Sequence, residues 1–122
     1  YETSQFMFYK RNIDTAAYLI LWQVGVAGDR SLAKFSTDSE YRKVLVKLLA
    51  DYYPLEHEVI LYEAATLPIQ SARGVRLLIS ELPDAEMDLK TTLVIPPSTK
   101  TSLNQQLIDE LERLVKRKEE EV

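Results

Sequence analysis

Two periodicities alternate along this chain. Ser4-Gln5-Phe6-Met7-Phe8-Tyr9 is rich in aromatics and is closed by the charged turn Lys10-Arg11-Asn12. A segment this short and aromatic predicts a first strand rather than a helix too short to nucleate. Tyr18-Leu19-Ile20-Leu21-Trp22-Gln23-Val24 is apolar on both alternating faces up to Gln23, the pattern of a central strand covered on both sides. Gly25 and Gly28 break it, and Gly28-Asp29-Arg30 reads as a turn. Thr37-Asp38-Ser39-Glu40 matches a capping box. Behind it Tyr41, Val44, Leu45, Leu48, Leu49 and Tyr52 recur at helical spacing, with Arg42, Lys43 and Lys47 on the water side.

Pro54 ends that helix. Glu58 to Ala64 predicts the next buried strand, which Thr66-Leu67-Pro68 leaves, and Arg73 to Leu82 a further strand bounded by Pro83-Asp84. Thr91-Thr92-Leu93-Val94-Ile95 is β-branched and stops at Pro96-Pro97, since proline cannot donate to a ladder. Ser102 and Gln105 offer a second capping box, and Leu103, Leu107, Leu111 and Leu114 carry an amphipathic helix towards Lys118. Glu119-Glu120-Glu121 opposes the helix dipole, so the end is expected to fray. The fold class expected is α/β: about five strands in a mixed sheet flanked by helices. Its main unit covers residues 1–97, with a terminal helix and acidic end over 98–122.

Composition narrows the function classes. The 122 residues are 46% hydrophobic and 28% charged, a globular balance. The longest apolar run, Ala16 to Trp22, is seven residues, where a bilayer span needs roughly 18 to 20. The net charge is -4; residues 1–97 hold 13 acids and 10 bases, residues 98–122 hold 6 and 5. That even spread is no footprint for nucleic acid or anionic lipid. With no cysteine there is no disulfide frame or thiolate chemistry, which agrees with a cytoplasmic location. Tyr1 is not an initiator methionine and no signal-peptide order follows it, so an internal start is expected.

Much familiar chemistry is missing. Among three glycines no G-x-G-x-x-G or P-loop pattern occurs. The lone His57 stands between Glu56 and Glu58, but strand neighbours point to opposite faces, so the trio cannot converge on a metal; a surface histidine at a loop-to-strand junction is expected. No strained serine turn accompanies it for hydrolysis. Asp84 and Glu86, or Asp109 and Glu110, read as solvated faces.

What remains is polar residues at strand ends. Gln23 closes one apolar run and Tyr62-Glu63 closes another, each where an α/β sheet places ligands, outside the carboxyl ends of strands that run together. If the Thr91–Ile95 strand runs against them, Thr91-Thr92 comes to the same edge. Glutamine amide, phenol and hydroxyl could hold an amino acid head group or an adenine rim. The competing reading is that these groups satisfy loop backbone, as buried polar groups usually must.

Four stretches carry a family resemblance: Ser4 to Phe8; Leu21-Trp22-Gln23-Val24-Gly25-Val26-Ala27-Gly28; Tyr53 to Gln70, with His57-Glu58-Val59-Ile60-Leu61-Tyr62-Glu63-Ala64-Ala65 at its centre; and Thr92-Leu93-Val94-Ile95-Pro96-Pro97. In order and spacing, over about residues 3–97, they resemble the C-terminal half of the borosin-type peptide α-N-methyltransferases of the tetrapyrrole (corrin/porphyrin) methylase superfamily. The resemblance implies that this chain is the second lobe of a tetrapyrrole-methylase-like fold, with S-adenosyl-L-methionine held in a cleft between two halves. Family cofactor contacts carry over to Gln23, Tyr62, Thr91 and Thr92, the last two where the family commonly has Ser-Thr.

The family's Gly-rich cofactor loop and its groups around the acceptor amide belong to the first half, which no segment here matches, so no catalytic residue is assigned and no metal is implied. The partners implied are an N-terminal methylase half, in the same or a separate chain, a peptide substrate and a second copy in a homodimer, with no nucleic acid or membrane. The alternatives are a non-catalytic assembly or peptide-docking module and a methylase acting on a tetrapyrrole.

Overall fold

In a computed structural model the chain is described over residues 1–28, 38–64 and 73–121. The element order is α1 (Thr3–Phe8), β1 (Leu19–Leu21), α2 (Ser39–Leu49), β2 (Glu58–Glu63), β3 (Arg73–Leu78), β4 (Thr92–Ile95) and α3 (Gln105–Glu120), with 3₁₀ turns at Val24–Val26 and Ile79–Asp84. The four strands form one sheet in the order β1-β4-β2-β3. Every neighbouring pair is antiparallel. The mixed sheet of about five strands is thus corrected to four antiparallel strands among the described residues.

The missing strand is α1. The Glu2 carboxylate accepts from Ser4 N at 3.1 Å and Gln5 N at 2.8 Å, satisfying amides that a helix start leaves free. The Thr3 hydroxyl donates to the Trp22 carbonyl at 2.6 Å, and that of Ser4 donates to the Val26 carbonyl at 3.0 Å while accepting from Gly28 N at 3.1 Å. Helical turning sends Phe6 into the core and leaves Phe8 at the surface. Contacts with residues twenty positions away decide this segment, which local propensity could not foresee.

β1 is an edge strand, not a central one, and it is covered on one side. Leu19 and Leu21 point inward with Val59 and Leu61 of β2 and Leu93 and Ile95 of β4. Leu45 and Leu49 of α2, Ile79 and Leu82 complete that core. On the outer face Tyr18, Ile20, Trp22 and Tyr62 stay 65%, 48%, 49% and 42% exposed. The sequence had apolar residues on both faces, and this chain buries one.

α2 is capped by Asp38, whose carboxylate accepts from Glu40 N at 3.0 Å; Thr37 of the expected box lies outside the described residues, as do Asp29, Arg30 and Thr66-Leu67-Pro68. Its buried stripe narrows to Leu45 and Leu49, with Tyr41, Val44 and Tyr52 exposed. Arg42 does not face water alone: its guanidinium donates to the carbonyls of Pro83 at 3.2 Å and Ala85 at 2.9 Å. The strand expected through Leu82 ends at Leu78, where the Glu81 carboxylate accepts from Leu78 N at 2.8 Å as the 3₁₀ turn begins.

His57 does more than sit at the surface. Its Nε2 lies 2.8 Å from the Pro96 carbonyl and its ring stacks on Tyr53 at 5.5 Å, clasping the start of β2 to the end of β4. α3 is capped by Asn104 rather than Ser102 and spans Gln105–Glu120, with Arg117 and Lys118 in its last turn. Among the described residues no helix is long and apolar enough to cross a membrane.

Tyr53 is buried, yet its hydroxyl has no hydrogen-bond partner among the described residues. Burial, reinforced by Asp14, pushes its pKa up. Above the ordinary phenol range near about 10 the unfolded chain therefore releases this proton before the folded protein does, and stability falls as pH rises through that window. Tyr53→Phe should hold or raise stability by up to about 1 kcal/mol at neutral pH and flatten the alkaline decline, as read by denaturant melts at a series of pH values.

Candidate functional site

Because β4 runs antiparallel to both of its neighbours, β1 and β2 point the same way on either side of it. Leu21 stands opposite Leu93, Tyr62 opposite Thr92, and Val24 N donates to the Thr91 carbonyl at 3.1 Å. Gln23, Tyr62, Thr91 and Thr92 therefore meet at one edge of the sheet, as the expected strand directions required.

The four do not stand alike. Thr91 is 1% exposed. Its hydroxyl donates to Glu63 Oε1 at 2.7 Å and accepts from Asp88 N at 2.9 Å, so its capacity is spent inside the protein. The side-chain amide of Gln23, the phenol of Tyr62 and the hydroxyl of Thr92 make no hydrogen bond among the described residues and remain free for a ligand. Tyr62 and Thr92 share the outer face beside Trp22, while Thr91 and Glu63 lie on the core side.

Gln23 also carries backbone strain. Its φ of 57° and ψ of 38° are left-handed, a conformation that costs a non-glycine residue roughly 1 kcal/mol. It turns the chain out of β1 into the Val24–Val26 turn. That turn is pressed against the loop before β4: a Cβ on Gly25 would lie 2.2 Å from the Asp88 carbonyl oxygen. Only glycine permits this approach, and the approach brings Gln23 to the rim.

Sequence reasoning placed Glu63 at the strand end without giving it a role, and it missed Asp88. Glu63 is the hub on the core side, accepting from Thr91 and lying 3.9 Å from Arg73 Nη1. The alternation Val59, Leu61, Glu63 was the available signal, because it puts a carboxylate on the inward face, where it needs a partner. A concavity of about 280 Å³ bordered by Glu63, Arg73, Glu86, Met87 and Asp88 opens on that side. Tyr62 and Thr92 instead lie on the outer face, away from that concavity. No cluster of potential metal ligands exists among the described residues.

No family model matches the chain. Curated proteins do. It is 33% identical over 120 residues to the methyltransferase/ribosomally synthesized cyclic peptide gymnopeptides precursor of Gymnopus fusipes, which covers 93% of this chain and 28% of that protein. It is 30% identical over 118 residues to the corresponding omphalotin A precursor of Omphalotus olearius, with 93% and 28% covered. To a type II borosin cyclic peptide precursor of Phlebiopsis gigantea it is 32% identical over 103 residues, with 81% and 18% covered. This chain is thus a homologue of one segment of borosin-type methyltransferase and peptide-precursor fusions, and it spans less than a third of their length.

Two substitutions separate the scaffold from the free groups. Thr91→Val strands the Glu63 carboxylate and Asp88 N and should cost about 1–3 kcal/mol, whereas Thr92→Val should stay within about 0.5 kcal/mol of the parent; urea melts decide. Gly25→Ala, which must displace the Asp88 backbone, should cost about 1–3 kcal/mol by the same measurement.

Proposed function

We propose that this chain is the C-terminal lobe of an S-adenosyl-L-methionine-dependent methyltransferase that methylates backbone amide nitrogens of a peptide, in the biosynthesis of ribosomally made cyclic peptides in the cytoplasm. The tetrapyrrole-methylase superfamily, an N-terminal half in the same or a separate chain, and a homodimer belong to the same reading. The homologous proteins, named for methyltransferase and peptide precursor together, support the reaction class and a peptide acceptor. The observation that carries the reading is the convergence of Gln23, Tyr62 and Thr92 at one edge with their hydrogen-bonding capacity unspent.

The residues fit the cofactor chemically. S-adenosyl-L-methionine has an adenine edge, ribose hydroxyls and an amino acid head group, and when bound it supplies an activated methyl. A glutamine amide offers donor and acceptor together, and the phenol and hydroxyl can each do either. Thr91 acts one step back: through Glu63 and Asp88 it holds the start of β4, and with it Thr92, in place. The role of this lobe is to bind and orient. The exposed outer face with Trp22, Ile20 and Tyr62 is the wall against which the first half closes, excluding water from the transfer.

The same exposed face favours a second reading, a peptide-docking module without catalysis. Calorimetry with S-adenosylhomocysteine on this chain joined to an N-terminal methylase half separates the two. Gln23→Gly keeps the left-handed backbone and removes the amide, and Tyr62→Phe removes one hydroxyl; each should weaken binding by up to about tenfold. Wild-type affinity in both variants would overturn the site. Mass spectrometry of a leader-bearing peptide should show methyl groups added, and a peptide bound but never methylated would favour docking.

A further inference from the structure

β3 closes one end of the sheet: β2 pairs with it on one side, and among the described residues nothing pairs with it on the other. The direction of its backbone groups is fixed by its neighbour. Ile79 N donates to the His57 carbonyl at 3.1 Å, so by alternation Leu77, Val75 and Arg73 turn their N–H and C=O groups towards β2, while Leu78, Arg76 and Gly74 turn theirs outward. The Glu81 carboxylate accepts from Leu78 N at 2.8 Å. Gly74 and Arg76 are left, each with a donor and an acceptor aimed away from the sheet.

Gly74 is also a glycine that the fold does not require. Its φ is not left-handed, and a Cβ on it would meet nothing within 4 Å. A glycine inside a strand loses backbone entropy and packs nothing, and it commonly marks a place where a ligand or another backbone comes close. Gly74 stands opposite Tyr62, which stands opposite Thr92, so this open space lies in the row of the sheet that holds the polar rim. Arg76, two positions on and on the same outer face, is exposed. It bonds Glu58 at 3.0 Å through Nη1, and a guanidinium carries further N–H groups beyond that one.

We propose that the free edge of β3 binds an extended peptide as an added antiparallel strand, with a bulky apolar side chain opposite Gly74, beside Tyr62, and an acidic side chain opposite Arg76. Main-chain pairing supplies the attachment, and the two side chains on the outer face supply the choice of peptide. A large side chain opposite an edge glycine covers it and reaches towards the next strand. A charge on an edge deters chance pairing, and a partner that brings an acid is the one Arg76 admits. The inference rests on the peptide acceptor of the reading above and names how that acceptor is held. A backbone amide that already carries a methyl has no N–H to donate, so the edge prefers unmethylated chain to methylated.

The test is amide exchange and titration followed by NMR on the full 122-residue chain. In the free protein the Gly74 and Arg76 amides should exchange at least about tenfold faster than those of Val75 and Leu77. The probe is a capped heptapeptide of threonine and valine that carries phenylalanine and glutamate two positions apart. It should slow exchange at Gly74 and Arg76, and methylating its backbone nitrogen at the phenylalanine should weaken binding at least about fivefold. Gly74→Val should weaken it by a similar factor with a urea midpoint equal to or above the parent's, since the new side chain enters open space. Arg76→Glu should weaken it too, and lysine in place of the peptide's glutamate should restore it. Slow exchange at both amides in the free chain, a peptide that does not bind or that protects other residues instead, or parent affinity in Gly74→Val overturns the proposal. Docking at this edge needs no cofactor, so these results and the S-adenosylhomocysteine calorimetry fail independently.

Discussion

The polar rim of the sheet depends on β4 lying between β1 and β2 and running against both. Backbone hydrogen bonds fix that register, pairing Leu21 with Leu93 and Tyr62 with Thr92. Residues 23, 62 and 92, far apart in the chain, then have no choice but to meet at one edge. A slip of one residue in either ladder would turn Thr92 inward and Thr91 outward, exchanging a free hydroxyl for one that the core needs.

Around that register the polar groups divide by what they have left to give. Thr91 has bonded at both of its hydroxyl's capacities, and Glu63 and Asp88 are its partners. Thr3 and Ser4 are spent in the same way on the carbonyls of Trp22 and Val26. These buried hydroxyls hold the strand ends and the turn at Val24–Val26, with the contact of Gly25 on the Asp88 carbonyl locking the turn to the loop. The strained backbone at Gln23 persists because its neighbours on both sides are tied down, Trp22 to Thr3 and Val24 to Thr91.

The sheet and α3 share a second property, apolar surface that this chain does not cover. Tyr18, Ile20, Trp22 and Tyr62 stand on the outer face, and the leucines of α3 stand in water. The borosin-type homologues extend well beyond the matched segment, which spans 28% or less of those described above. Contiguous apolar surface of this kind marks an interaction site.

Sequence alone determined the β2 and β4 segments, the helix before Pro54, the inward alternation of Val59 and Leu61, and the choice of Gln23, Tyr62, Thr91 and Thr92 as polar strand ends. Those properties are local: a period of two or 3.6, a proline, or a residue type at the end of an apolar run. The tertiary structure decided the rest. Thr3–Phe8 became a helix because Trp22 and Val26 accept the hydroxyls of Thr3 and Ser4, and β1 lies at the margin of the sheet because only residues 1–3 pair with it on the side away from β4. Thr91 was separated from Thr92 by a carboxylate 28 positions away that only the paired sheet brings within 2.7 Å. Each depends on a partner distant in the chain, and no local pattern encodes which partner a hydroxyl will find.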